Sequence, residues 1–347
     1  MPRRLQNKIA ESSATLPVAC VVATILWWLP WGAVTAGGRP ELWTPESRSL
    51  LMGWVVCALT TYVVLETVAQ NALLRIRSRM ISALYLLLMA ACSFLHPLSG
   101  GLLCQLCLAS CFHQLLATCE LPQPESHTLR AYLFLSVGSL LWAPLFVLAP
   151  VLLWCQAVFL RSLSWRSLNA AVIGLLLPYL FWGTALTVAM LASLLSDPLT
   201  DTTEIGRAVF QPLTAHGHAL LAPFTAPFTW QWDIREHLTE TITFGVTLLF
   251  SATGTIHYIR KNYDDKIRVR MCHYTLITVQ LIVLLWMVAQ PALFYHLYPL
   301  LLLTTVPAAA HFIALTHTWL SNAWTLLLLT FLLIMIFIPS FLNSLIS

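Results

Sequence analysis

The sequence predicts an all-α fold, a polytopic bundle of transmembrane helices with about eleven spans. Of the 347 residues, 59% are hydrophobic and only 9% are charged, whereas about 25% of the residues of a typical soluble domain are charged. Such a chain could not cover a soluble surface with polar groups. Its long apolar segments also differ from the alternating strands of an outer-membrane barrel. The composition therefore excludes a soluble enzyme, a disordered chain and a secreted disulfide scaffold.

Eleven apolar segments are candidates to cross the hydrocarbon core of a bilayer, which takes about 20 residues in a helix, although several of them are shorter. The segments cover residues 17–36, 49–69, 80–96, 101–119, 129–143, 145–160, 168–195, 241–259, 272–290, 293–316 and 323–345. The first follows a basic start and ends near the small residues Val34 and Ala36, a pattern that also fits a cleaved signal peptide. We expect this segment to remain in place as a signal anchor.

The fifth and sixth segments belong to one continuous apolar stretch, Leu129–Leu160. A single helix of that length would overshoot the bilayer, because each residue adds about 1.5 Å. Pro144 and Pro150 can interrupt a helix within the stretch. We therefore expect a hairpin of two short spans in place of one long helix.

The basic residues predict how the spans are oriented. If the N-terminus is cytoplasmic and successive loops alternate sides, fourteen of the 18 Lys and Arg residues fall in the cytoplasm. Five of them lie in a basic cytoplasmic loop, residues 260–271, whereas the extracytoplasmic loop 196–240 contains only Arg207 and Arg235. This bias follows the positive-inside rule. The sequence thus predicts one transmembrane domain over residues 1–347, with its N-terminus in the cytoplasm.

Carboxylates in the predicted outer loops are the candidate catalytic residues. Glu41 and Glu46 lie in the first outer loop, and Asp197 and Asp201 begin the long loop 196–240. A carboxylate at the membrane surface can act as a general acid or base on a sugar. These four residues would carry the chemistry if the protein acts on a glycan.

The same long loop offers groups that would hold such a substrate. Trp230 and Trp232 could stack on a sugar ring, and Arg207 and Arg235 could bind phosphate. Two alternatives remain open. His216 and His218 could instead join an acid in ligating a metal, or the whole segment could be a structured outer loop with an interfacial helix.

Glu66 is the one acidic residue inside a predicted span. Carboxylates within a membrane are costly and usually face the interior of the bundle. Arg75, Arg77 and Arg79 follow at the cytoplasmic face, so this region predicts a polar site that holds an anionic head group or relays protons. In the alternative interpretation, Glu66 pairs with Arg75 or reaches water, and the arginines mainly mark the topology.

Four histidines lie at or near predicted cytoplasmic helix ends: His257, His273, His311 and His317. His311 and His317 are about 240° apart around a helix, so the two rings face different sides and are not expected to share a metal. We expect these side chains to cap helices or to form hydrogen bonds between them.

Residues 136–183 form an apolar helical hairpin, a short Arg-containing turn and a helix that ends in Leu-Pro-Tyr, and residues 298–310 read YPLLLLTTVPAAA. Both stretches resemble the multi-spanning, polyprenyl-phosphate-dependent glycosyltransferases and related glycan polymerases. The resemblance implies a glycosyltransferase-like helical scaffold that handles a lipid-linked glycan at the outer face. That class carries one or two acidic residues in its first outer loop, where this chain has the separated Glu41 and Glu46.

The chain also resembles uncharacterised multi-pass inner-membrane proteins of Gram-negative bacteria, through residues 66–79 and through Ser251–His257 with the basic loop that follows. This resemblance implies a location in the inner membrane of the cell envelope. The expected partners are membrane lipids, a polyprenyl-phosphate-linked glycan and other envelope proteins. A net charge of +4 is too small to indicate nucleic acid, and no cofactor or metal is expected.

Three functions remain open from the sequence. The first is an active or degenerate enzyme that handles a lipid-linked glycan at the outer face. The second is a transporter or flippase that uses Glu66 as its coupling site. The third is a non-catalytic membrane subunit of an envelope assembly or secretion complex, for which the outer loop would be the docking surface.

Overall fold

A computed structural model describes residues 12, 14–34, 45–74, 78–196, 211–220, 222, 232, 237–316, 319, 322–327 and 330–331 of the chain. Over these residues the protein is helical and contains no strand. The expected all-α fold class is therefore confirmed for the described part of the chain.

Except for one helix at residues 211–220, within the predicted outer loop, the helices follow the apolar segments of the sequence in order. They are α1 (Thr15–Val34), α2 (Pro45–Asn71), α3 (Met80–Ala91), α4 (Gly100–Ala117), α5 (Glu125–Leu141), α6 (Leu148–Val158), α7 (Trp165–Ser196), α8 (residues 211–220), α9 (Leu238–Lys261), α10 (Ile267–Ala289) and α11 (Phe294–Leu315). Short 3-10 segments are formed by Ser93–Leu95, Ala143–Val147, Asn262–Asp264 and Pro291–Leu293. The last expected span, residues 323–345, lies mostly outside the described residues.

Six helical segments among the described residues are long and apolar enough to cross a membrane. They are Ser47–Asn71, Gly100–Ala117, Trp165–Ala189, Leu238–Asp264, Ile267–Ala289 and Pro291–Leu315. Three shorter apolar helices accompany them: Thr15–Trp28, Met80–Ala91 and Ala143–Val158. Length and composition thus identify a helical membrane protein, because about 20 apolar residues span the hydrocarbon core.

The apolar stretch Leu129–Leu160 is interrupted where the prolines predict a break. Helix α5 ends at Leu141, Trp142 takes an extended conformation with φ −145° and ψ 99°, and a 3-10 turn containing Pro144 leads into α6. Gln156 of α6 donates to Oγ1 of Thr128 on α5 over 2.9 Å. The two helices therefore run back alongside each other as in a hairpin, whereas their crossing of the membrane as two spans stays a prediction.

The chain divides into two compact units. Unit 1 comprises Met1–Ala109 and Thr229–Ser347, and unit 2 comprises Ser110–Phe228. Within unit 2, α5 and α7 pack closely at Gly174, where a Cβ atom would lie 2.5 Å from the carbonyl oxygen of Leu129. A larger residue at this position would push the two helices apart, because that oxygen belongs to the backbone.

Helix α11 is the central element of unit 1. Residues 297–314 of this helix are all buried, and the helix packs against α3, α9 and α10. Gly254 of α9 lets the two backbones approach, since a Cβ atom there would lie 2.8 Å from the backbone of Ala308 and Ala309. A helix that is apolar all round belongs at the centre of a bundle.

The helices of unit 1 alternate in direction, so defined residues meet at each end. At one end, Nε2 of His273 on α10 donates to the carbonyl oxygen of Leu73, just beyond α2, over 3.0 Å. At the other end, the hydroxyl of Tyr295 on α11 donates to Glu240 on α9 over 3.1 Å. These two ends contain the polar groups from which a functional site can be built.

Candidate functional site

Most of the site residues named from the sequence lie outside the described residues. These are Glu41, Arg75, Arg77, Asp197, Asp201, Arg207, Trp230 and Arg235, together with the side chain of Glu46. Glu46 itself belongs to the first turn of α2. Of the predicted set, the structure locates the side chains of Glu66, Arg79 and Trp232.

Glu66 lies on the exposed face of α2. Tyr62, one turn earlier, is 64% exposed, and Leu59, a further turn back, is 49% exposed, so this face of the helix points out of unit 1. Arg79, directly before α3, is also exposed. The structure therefore does not enclose Glu66 in the bundle interior, where a coupling carboxylate usually lies.

Trp232 occupies a well-defined aromatic environment at the end of unit 1 where α9 begins. Its Nε1 donates to Oγ1 of Thr241 over 2.9 Å. Its ring stacks on His237 at a centroid distance of 4.6 Å and contacts the Phe294 ring at 5.1 Å. An indole held by one hydrogen bond and by rings on two sides has a fixed orientation.

An apolar cavity of about 200 Å³ lies beside this indole, and we name it the Trp232 cleft. Its lining consists of Trp232, Thr241, Phe244, Met287, Val288, Pro291 and Phe294. Val288 is 44% exposed, so the cleft opens on the outer surface of α10. Aromatic and aliphatic walls of this kind suit a hydrocarbon chain.

A carboxylate lies next to the Trp232 cleft. Glu240, in the first turn of α9, accepts a hydrogen bond from the Tyr295 hydroxyl, and Tyr295 in turn contacts Phe294 of the cleft wall at a centroid distance of 5.6 Å. Glu240 is half-buried. Glu240, Tyr295 and Trp232 thus bring a carboxylate and aromatic rings together at this end of unit 1.

Helix α9 carries a buried row of hydroxyl groups, which we name the polar seam. It consists of Thr243, Thr247, Ser251 and Thr255, one residue at every fourth position and therefore on one face. Neighbouring helices add two polar groups. The Tyr298 hydroxyl lies 2.8 Å from Oγ1 of Thr247, and the Gln280 amide donates to Ser251 and, over 3.5 Å, to Thr255.

The polar seam leads to a group of buried titratable residues, which we name the histidine cluster: Tyr258, Asp265, His273 and His311. Nε2 of His311 lies 3.2 Å from Oδ2 of Asp265, and both side chains are almost fully buried. The Tyr258 ring stacks on His273 at 4.3 Å and meets His311 edge-on at 4.8 Å.

Four structural elements hold the histidine cluster together. Tyr258 belongs to α9, His273 to α10 and His311 to α11. Asp265 directly follows the 3-10 segment Asn262–Asp264, and its backbone N–H donates to the carbonyl oxygen of Asn262 over 3.0 Å. Asp265 belongs to the basic loop 260–271, but its carboxylate is almost fully buried in unit 1.

The expected hydrogen bonds between helices are confirmed for His273 and His311, while His317 lies outside the described residues. The sequence did not single out Asp265 or Tyr258, because two adjacent carboxylates, Asp264 and Asp265, in a basic loop are typical of solvated surface charges. A signal was nevertheless present. Hydroxyl residues at every fourth position of α9 are visible in the sequence, and they point towards Tyr258.

The alternative metal site of the long outer loop gains no support from the described residues. Nε2 of His216 is 3.2 Å from the Tyr179 hydroxyl, and its ring contacts Trp182, whereas His218 is exposed. No group of three or more His, Cys, Asp or Glu residues within the described ranges is arranged to hold a metal ion. These two histidines therefore have different roles in unit 2.

Comparison with known proteins does not identify a relative. No protein-family model matches the chain, and no curated protein and no solved structure is detectably similar to it. The functional interpretation therefore depends on the chain's own residues, and the resemblance to polyprenyl-phosphate-dependent glycosyltransferases stays a prediction.

Proposed function

We propose that this chain is a multi-pass inner-membrane protein of the cell envelope that binds a lipid-linked glycan at its outer face. The observation that carries the proposal is the Trp232 cleft, an apolar cavity that opens on the surface of α10 beside the carboxylate of Glu240. A polyprenyl phosphate has the matching chemistry, since it joins a long hydrocarbon chain to an anionic, sugar-bearing head group.

The orientation proposed from the sequence puts the cleft on the required side of the membrane. Six long apolar helices and three shorter ones, with α5 and the segment 323–345, would make up eleven spans. With the N-terminus in the cytoplasm, α9 enters from outside at Leu238 and ends inside at the basic residues Arg260 and Lys261. Basic residues are concentrated on the cytoplasmic side of membrane proteins.

The affinity for the lipid would come mainly from its hydrocarbon chain. Each methylene group transferred from water into an apolar site contributes about 0.8 kcal/mol, but the contribution is smaller for a chain that arrives from lipid. Shape and the aromatic contacts of Trp232 and Phe294 would therefore decide which lipid is held. Arg207 and Arg235, in the same outer loop, would bind the phosphate.

Chemistry on the bound glycan would use a carboxylate at the boundary. Glu240 is half-buried and positioned by the Tyr295 hydroxyl, as a general base that activates a sugar hydroxyl needs to be. Asp197 and Asp201 in the same outer loop, and Glu41 and Glu46 in the first one, are the other candidate acids. Transport through Glu66 is less favoured, because that side chain is exposed.

Photo-crosslinking tests the proposal. The full chain in nanodiscs would be irradiated with a polyprenyl phosphate that carries a benzophenone on its hydrocarbon chain. We expect labelled peptides from α9 and α10 around Phe244 and Met287. Trp232→Ala and Met287→Trp should reduce labelling about fivefold, because one removes an aromatic contact worth about 0.5–1.5 kcal/mol and the other fills the cleft.

Trp165→Ala is the matched control, since Trp165 is 76% exposed and belongs to unit 2. This variant should be labelled like the wild type. Equal labelling of all three variants, or labelling spread over the apolar surface, would overturn the proposed binding site. Glu240→Gln separates binding from chemistry, because it should keep the labelling and lose the transfer of glycan.

A further inference from the structure

The histidine cluster contains buried polar atoms whose hydrogen-bonding capacity is not used. Nδ1 of His273, Nδ1 of His311 and the Tyr258 hydroxyl are all buried and have no hydrogen-bond partner among the described residues. Leaving such an atom unpaired in an apolar interior costs about 1–3 kcal/mol. Three of them in one place are difficult to explain by packing alone.

The paired nitrogens determine where the protons lie. A backbone carbonyl and a carboxylate only accept hydrogen bonds, so Nε2 of His273 carries a proton towards Leu73 and Nε2 of His311 carries one towards Asp265. Nδ1 of each neutral imidazole is then an unprotonated acceptor. The cluster therefore has two free basic lone pairs and one free hydroxyl donor.

The three rings are close enough to act as one site. The centroid distances are 4.3 Å from Tyr258 to His273, 4.8 Å from Tyr258 to His311 and 5.7 Å from His273 to His311. Other titratable or charged groups lie near these rings. They are His257 and Lys261 on α9, and Arg268, Arg270, Cys272 and Tyr274 on α10. Asp265 is the acidic residue that faces His311, Tyr258 and His273.

The polar seam connects this cluster with the opposite end of unit 1. Along α9, Glu240 and Tyr258 are about 27 Å apart, which is close to the thickness of a bilayer's hydrocarbon core. Between them lie the hydroxyls of the seam, with Tyr298 beside Thr247 and Gln280 joining Ser251 to Thr255. A buried polar route of this length is costly in a membrane, and such routes mark ion or proton pathways.

We propose that the histidine cluster is the proton-binding site of a proton path through unit 1, which runs along the polar seam between Glu240 and Asp265. A proton that arrives at Nδ1 of His311 gives an imidazolium, whose charge the Asp265 carboxylate balances. The proton on Nε2 then passes to Asp265 and leaves, which gives a neutral imidazole with its proton on Nδ1. A flip of the ring turns this N–H towards Asp265 and returns the unprotonated nitrogen to the seam side for the next proton. Only a proton is bound and released, so no oxidant, reductant or metal is required.

Proton flux in proteoliposomes tests this inference. The full chain would be reconstituted with a pH-sensitive dye inside the vesicles, and a potassium diffusion potential would drive protons across. We expect flux above that of protein-free vesicles. Asp265→Asn, His311→Gln and Tyr258→Phe should each slow it by about tenfold or more, because removing a proton-transferring group has effects of this size or larger.

The variants are chosen so that a folding defect can be recognised. Tyr258→Phe keeps the ring that stacks on His273, and it removes a hydroxyl that forms no hydrogen bond within the described ranges. His218→Gln, at an exposed histidine of unit 2, is the control and should conduct like the wild type. Wild-type flux no greater than the leak of empty vesicles would overturn the proposal. So would unchanged flux in the well-folded Tyr258→Phe variant.

This inference goes beyond the proposed lipid function, and the two experiments can fail separately. The flux measurement contains no polyprenyl phosphate, and the crosslinking measurement has no proton gradient. Trp232→Ala should reduce labelling without changing flux, whereas Tyr258→Phe should reduce flux without changing labelling.

Discussion

Histidine side chains in this protein differ in their hydrogen-bonding environments. His273 and His311 each use Nε2 in a hydrogen bond and leave Nδ1 buried, with no hydrogen-bond partner in the described part of the chain. Nε2 of His216 instead lies 3.2 Å from Tyr179, which also bonds Ser139 over 2.8 Å. The sequence alone could predict hydrogen bonds for such residues. It could not separate these two environments, since the partners are 37 to 200 residues away.

His216 makes the contact between α8 and α7 sensitive to pH. Burial lowers the pKa of His216 below its ordinary value of 6.5, so the packed state binds the proton less readily than the free side chain does. The contact is therefore fully stable above pH 6.5 and weakens as the pH falls from 6.5 towards the lowered pKa. Faster amide hydrogen exchange in residues 211–220 at acidic pH, corrected for intrinsic rates, is the expected result.

The matched comparison for this pH effect uses the two neighbouring histidines of α8. His216→Gln should remove most of the acid-induced increase in exchange, because an amide keeps a hydrogen-bonding group and does not titrate. His218→Gln should retain the increase, since His218 is exposed. An identical pH dependence in His216→Gln and the wild type would contradict this assignment.

At the scale of helices, apolar length predicts where elements lie much better than what they contact. Pro144 marks the break in the long apolar stretch, and α9, α10 and α11 begin within five residues of the expected segments. Helix α3 ends at Ala91, short of the expected 96, because the chain turns so that His96 reaches the carbonyl oxygen of Ala90 and stacks on Trp27. Hydropathy does not register such a contact.

The histidine cluster shows the same limit for the candidate site. The hydroxyl repeat of α9 is a local pattern, and the four-residue period puts it on one face without knowledge of the fold. Asp265 pairs with a histidine 46 residues away, and this pairing exists only once α11 has packed at the centre of unit 1. The seam was therefore predictable, whereas the cluster at its end required the structure.

Close packing of α9 on α11 depends on Gly254. In Gly254→Ala the new Cβ atom would lie 2.8 Å from the backbone of Ala308 and Ala309, and neither backbone can move aside as a side chain would. We expect a loss of about 1–3 kcal/mol in the free energy of unfolding. Unfolding of the detergent-solubilised protein, followed by circular dichroism, would measure it.

Gly245 is the internal control on the same helix, since a Cβ atom there would meet nothing within 4 Å. Gly245→Ala should be neutral or should stabilise the protein by up to about 1 kcal/mol, the difference in helix propensity. Equal destabilisation by both substitutions would show that helix propensity or the solvation of α9, and not contact with α11, sets the effect.

At the scale of the whole chain, the predicted alternation of spans and the helix packing of unit 1 agree on which helix ends lie together. In the predicted orientation the ends of α2, α9 and α11 and the start of α10 would all be cytoplasmic, and these are the ends that meet around the histidine cluster in unit 1. The start of α9 and the start of α11, joined by Glu240 and Tyr295, would both be outside. One span more or fewer before α9 would exchange the sides of the membrane on which these two ends of unit 1 lie.

The helical hairpin of α5 and α6 decides that orientation for everything after it. If α5 and α6 cross the membrane twice, residue 142 lies outside, residues 211–220 lie outside and Lys266 lies inside. If they do not cross as two spans, the basic loop 260–271 is placed outside, against the positive-inside rule.

Reporter fusions separate the two cases. Alkaline phosphatase is active only outside the cytoplasm. Green fluorescent protein fluoresces only when it stays in the cytoplasm, because it does not fold into its fluorescent form after export by the general secretion route. We expect phosphatase activity for fusions after residues 142 and 218, and fluorescence for a fusion after Lys266. Phosphatase activity at Lys266 would place the histidine cluster at the outer face and the Trp232 cleft at the cytoplasmic face, which would exclude an outer-face lipid site.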